Sequence, residues 1–168
     1  MRKLTGLLAG IVFGLSMLVG VSFAADKFAY VDLSRAFSEY NKTKDYDKVL
    51  AEKENIYTTE REKKVNEVKQ FQDKMNLLSD KEKETKKGEL DSRLKTLQDF
   101  DREKGTDLRK EQDEKMKEIF KDIEEAVKKY SEKEGLTLVF NDRVLIYQNK
   151  TLDITDKIVD ILNKGYKK

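Results

Sequence analysis

Long stretches of this chain place apolar residues three and four positions apart on a charged background. Val49 and Ile56, and Leu50 and Tyr57, recur seven apart, and Val68, Phe71, Met75 and Leu78 continue in steps of three and four. A second run reads Leu90, Leu94 and Leu97, then Leu108, Met116, Ile119, Ile123, Val127 and Tyr130. Such spacing keeps a narrow apolar stripe on one side of a helix, the pattern of a coiled-coil seam. Residues 26–87 contain neither glycine nor proline, and the whole chain lacks proline, so nothing in the backbone chemistry interrupts a helix there. One break separates the two runs. Ser79-Asp80-Lys81-Glu82 matches a capping box, with Ser79 as N-cap and Glu82 three residues on. The pattern therefore predicts a coiled-coil hairpin over residues 43–134, reversing near residues 78–82 and ending at Gly135, a common helix-terminating residue. Each arm then runs about 40–50 residues, or roughly 60–75 Å at 1.5 Å per residue. A single unbroken helix is the structural alternative.

The two ends differ from this middle. Phe28-Ala29-Tyr30-Val31 reads as a short strand, and Asp32 or Ser34 can cap a short helix through Ala36 and Phe37. Leu136–Phe140 and Val144–Tyr147 read as two further strands, with Asn141-Asp142 as a turn between them. Asp153-Ile154-Thr155-Asp156 opens a last helix with Ile154, Ile158, Ile161 and Leu162 on one face. Residues 25–42 and 135–168 thus predict a small β-rich body. The fold class is mainly α, a long antiparallel hairpin on that body. A unit of this size is marginal alone, and adjacent apolar residues such as Leu138 and Val139 point to opposite strand faces. Both facts predict an oligomer, with Phe28, Val31, Leu138, Phe140, Leu145 and Ile146 supplying most of the burial.

The first two dozen residues read as an address. Arg2 and Lys3 precede an uncharged stretch that lasts until Asp26, and Ser22-Phe23-Ala24 supplies small residues where a signal peptidase reads. Residues 1–24 are expected to be a signal peptide cleaved after Ala24. An uncleaved membrane anchor is the rival, since the stretch is long enough to span a bilayer. Cleavage removes two cations and no acid, which leaves 33 basic and 33 acidic residues and no net charge. A neutral chain lacks the basic excess usual in nucleic-acid binders, so no nucleic-acid partner is expected.

Composition narrows the chemistry. The chain has no histidine and no cysteine, which removes the commonest general bases, nucleophiles and zinc ligands, along with disulfides. It has no glycine-rich phosphate loop. No enzyme activity, metal or cofactor is expected.

Three features in order, Tyr30-Val31-Asp32 leading into a short helix, the charged hairpin, and Val144-Leu145-Ile146-Tyr147 followed by Asp153-Ile154-Thr155, resemble the Skp/OmpH family of periplasmic chaperones. The likeness covers essentially the whole mature chain. It implies a homotrimer with a β-rich body and three arms around a cavity, which holds unfolded outer-membrane proteins in transit without ATP. One departure is charge: family members are often basic, and this mature chain is neutral, which argues against strong electrostatic capture of clients or acidic lipid.

On this reading most arm hydrophobics belong to the hairpin seam. Phe71, Leu77, Phe100 and Phe120 exceed it and are the candidate client contacts. Lys81, Lys83, Lys86 and Lys87 make the tip locally basic, for client steering or transient contact with a membrane surface, although a solvated turn has the same composition. If partners across the hairpin have numbers summing to about 162, Arg61 faces Asp101 and Tyr57 faces Gly105. The stripe is polar there, which predicts a soft waist. A structural coiled-coil adaptor or membrane-anchored tether is the competing function.

Overall fold

The computed structural model describes residues 26–167. The expected signal peptide lies outside the described residues. The chain begins with strand β1 (Phe28–Val31) and helix α1 (Leu33–Glu39), then enters the long helices α2 (Asn41–Asn76) and α3 (Asp80–Glu134). Strand β2 (Leu138–Asn141), two 3-10 turns (Asp142–Val144 and Lys150–Leu152) and helix α4 (Thr155–Gly165) complete it.

The helices start and stop for local reasons. Asp32 accepts the Arg35 backbone N–H at 2.9 Å and caps α1. The reversal occupies Leu77–Ser79. Glu82 accepts the Ser79 backbone N–H at 3.0 Å, and the Ser79 side chain caps in return, so the capping box is formed. Gly135 ends α3 in the left-handed conformation, with φ 65°, where a Cβ would be strained. At 36 and 55 residues, α2 and α3 are about 54 and 83 Å long. The surplus of α3 runs past the root of α2 and into the body.

That surplus changes the body's composition. The core joins Ala29, Val31, Ala36 and Tyr40 to Ile154, Ile158, Val159 and Leu162, and Ile119, Ile123 and Ala126 of α3 lie at its centre. The body expected from residues 25–42 and 135–168 therefore also includes the last turns of α3. This follows from the need of α4's apolar face for a partner, which a two-stranded sheet alone does not provide.

The sheet also differs from the expected arrangement. β1 and β2 pair in parallel, with Phe28 opposite Leu138 and Val31 opposite Asn141, and the whole arm serves as the crossover. The Val144–Tyr147 segment is not a strand. It forms the end of a 3-10 turn and an irregular stretch, with Val144, Ile146 and Tyr147 exposed. Sequence alternation alone gives no ladder: one edge of β1 holds β2, the other meets Asp153 in an isolated bridge, and no strand among the described residues pairs with the segment.

Candidate functional site

The arm is built from a thin seam. Between Thr43 and Ile119, Val68 is the one buried residue, at 8% exposure. Two helices side by side cover each other along a single line, so Val49, Ile56 and Met116 stay substantially exposed although they belong to the stripe. Half-buried Leu50, Met75, Leu78, Leu94, Leu97 and Leu108 continue the seam, and polar pairs flank it. Lys53 reaches Glu111 at 2.6 Å, and Arg61 meets Asp101 at 3.1 Å. These pairs are well solvated, so each contributes at most about 1 kcal/mol. The Tyr57 hydroxyl donates to Asp101 at 3.1 Å, rather than lying against Gly105 alone, and its ring stacks on Phe100 at 5.8 Å. A Cβ placed on Gly105 would have no neighbour within 4 Å.

The root of the arm is denser. Lys42 binds Glu118 at 2.6 Å and Asp122 at 2.7 Å. Burial pushes the Lys42 ammonium down, but its hydrogen bonds to Asp122 and Glu118 outweigh this and its pKa is raised. Hydrogen bonds from Lys115 and then Lys42 pull Glu118 down to about 2. Burial, and then the Asp122 carboxylate that accepts its hydroxyl proton, push Tyr40 up to about 12.

The four candidate contact residues fall in different settings. Phe71 lies under the Arg93 guanidinium at 4.6 Å, and Phe100 lies between Tyr57 and the Lys64 ammonium, which is 5.1 Å from its ring. Both rings are half-buried, each with a cation against it. Phe120 stacks on Phe37 at 5.4 Å, so it sits at the body and not in the free arm. Leu77 is 88% exposed at the turn and has no seam role. Of the tip lysines, Lys83 is 3.9 Å from Asp80 and Lys86 is 3.2 Å from Glu89, while Lys81 and Lys87 are exposed. Acids alternate with the cations, so the tip has little net field.

The body-surface candidates divide sharply. Ile146 is fully exposed and Leu138 is 51% exposed, with Phe28 and Phe140 also partly open. Leu145 is half-buried. Val31 is buried inside the single chain, at the floor of an open groove. Beside Leu138 and Phe140, an apolar groove of about 580 Å³ continues along Leu136, Val127, Ile123 and Phe120. Sequence reasoning missed the Tyr40–Lys42–Asn163–Tyr166 cluster at the arm root. Its members are up to about 125 residues apart, and no local spacing signals it.

No described helix is long and apolar enough to cross a membrane, and no described cluster of acidic residues could hold a metal ion. The fold thus defines a class, that of proteins with a long, charged helical-hairpin arm rooted in a small mixed body. The model of the family described as outer membrane protein (OmpH-like) matches residues 27–162, and the chain belongs to that family. Among solved structures, an OmpH-like candidate outer membrane chaperone from Caulobacter crescentus CB15 superposes with TM-score 0.76 at 12% identity. The likeness covers 85% of this chain and 87% of that one, and at this identity it concerns the fold. No curated protein matches.

Proposed function

We propose that the protein is an ATP-independent holding chaperone that keeps unfolded exported proteins, outer-membrane β-barrel proteins above all, from aggregating between its helical arms. The observation that carries this reading is the composition of the arm surface. Half-exposed Val49, Ile56 and Met116 alternate with charge pairs along a seam that buries Val68 alone. A surface of this kind offers many weak apolar and polar contacts spread along the arm. Unfolded clients differ in sequence, and summed weak contacts hold them while each remains easy to release. Phe71, Leu77 and Phe100 are the contacts assigned to the arm, with Lys81, Lys83, Lys86 and Lys87 as short-range polar contacts at the tip, since the alternating acids leave little net field for steering.

A homotrimer formed through the body would place three arms around one client. Exposed Ile146, Tyr147, Val144 and Leu138 on one small body favour association, since a soluble monomer rarely leaves such a surface open. The number three comes from the family resemblance. Export to the periplasm with cleavage after Ala24 completes the reading.

The test is dilution of a urea-unfolded β-barrel protein into buffer with the purified mature chain. Suppressed aggregation without nucleotide, for several unrelated clients, is the expected result. Binding to one folded partner and to no unfolded protein would instead assign the chain as an adaptor.

A further inference from the structure

Helices α1 and α2 are separated by one residue. Tyr40 leaves the helical region there, with φ −68° and ψ 126°, and its side chain caps nothing. The bend exposes an amide N–H at the start of α2 and a carbonyl at the end of α1. Both are met by one side chain from the far end of the sequence. The Asn41 N–H donates to Asn163 Oδ1 at 2.7 Å, and Asn163 Nδ2 donates to the Glu39 carbonyl at 3.2 Å. The amide orientation is fixed by its partners, because an N–H can only donate and a carbonyl can only accept. Next to it Tyr166 packs edge-on against Tyr40, with ring centroids 5.8 Å apart.

We propose that Asn163 is a positioning residue: α3 runs unbroken from the body core into the arm as one leg of the hairpin, and Asn163, by bridging the two helix ends at Tyr40, fixes where the second leg, α2, is rooted and so the direction in which the arm leaves the body. A merely stabilising cap would need only the bond to Asn41. The second bond, to α1, ties the body's helix to the arm's helix through one planar group. Leverage makes the angle matter, since a change of about 10° at the root moves the end of a 36-residue helix by roughly 9 Å. Asn163 belongs to α4, which Ile158 and Leu162 seat in the core, so the bridging amide is held by the body itself. The consequence, a set width between arms, rests on the holding function proposed above. The angle itself is measurable in one chain without a client.

The sequence has no cysteine, so Lys74→Cys near the tip and Lys150→Cys in the body give two clean labelling sites. Spin labels there, with labelled chains diluted in excess unlabelled chain, report the body-to-tip distance within one copy. The intact protein should give one narrow distance distribution. Asn163→Leu should broaden it and shift its mean by several ångströms, with roughly fivefold faster amide exchange at Asn41 as the cap is lost. Asn163→Ser, too short to span both partners, should do the same and serves if the leucine variant does not fold. Ile158→Val, which weakens the α4 core without touching the bridge, should lower the melting temperature and leave the distribution narrow. A wild-type width in both Asn163 variants overturns the proposal, and so does equal broadening by Ile158→Val.

Discussion

The body and the arm of this molecule solve different problems with the same helix chemistry. In the body Ile119, Ile123 and Ile158 are almost completely enclosed, packed from α3, α4 and the strand layer. In the arm a longer stretch of helix encloses Val68 and little else. The difference follows from the number of neighbours: three or four elements meet around the body core, while each arm helix meets one. Folding stability therefore concentrates in the body. The arm keeps its apolar stripe half-open, which suits the holding role proposed above.

The sharpest break in that contrast is a core truncation. Ile123→Ala should cost about 2–5 kcal/mol, against about 1–2 kcal/mol for Val68→Ala, and paired thermal melts read the gap. Equal losses would mean the arm is as tightly packed as the body. Next in size, Ile146→Asp or Leu138→Asp should dissociate the proposed homotrimer, because an unpaired charge in an apolar interface is costly. Since both residues are exposed in the single chain, the body should remain folded, and sedimentation with circular dichroism separates the two effects.

Acid should loosen the arm root before the body core. Glu118 has a depressed pKa, so its contribution is present above the ordinary carboxylate value and is lost as pH falls from about 4.5 towards about 2. Its side chain is 43% exposed, so the effect is modest. Amide protection at residues 41–46, taken relative to the intrinsic exchange rate at each pH, should fall over that window, and Glu118→Gln should remove this part of the pH dependence. Smallest is Gly105→Ala. The site has room for a methyl group, so the change should stabilise the arm by about 1 kcal/mol and slow exchange around residues 57–61. Unchanged exchange there would count against the expected soft waist.

Much of the arm was legible in sequence because its determinants are local. Heptad spacing, the Ser79–Glu82 box and Gly135 each act within a turn or two, and the facing of Arg61 and Asp101 followed from counting back along two helices. The body was less legible because its determinants are distant. Ile119 and Ile123 continue the arm's own stripe, and nothing local distinguishes a residue that meets α4 from one that faces solvent. The parallel pairing of β1 with β2 is likewise a tertiary choice, and Val144–Tyr147 has strand composition without a strand partner among the described residues. Phe120 looked like a surplus arm residue until Phe37 was found against it. Asn163, polar and near the C-terminus, gave no signal at all.

The central claim is that the arm holds the client and the body only assembles it, and shortening the arm tests this most directly. Removing residues 54–71 and 93–110 takes 18 residues, five turns, from each helix. It keeps the helix faces in register, the Lys53–Glu111 pair and the capped turn at Ser79, and it leaves every residue of the body core in place. The shortened chain should assemble like the intact protein, with the body core still cooperative on melting, and should no longer prevent a diluted β-barrel protein from aggregating. Protection equal to that of the full-length chain would contradict the account and move the gripping surface to the body.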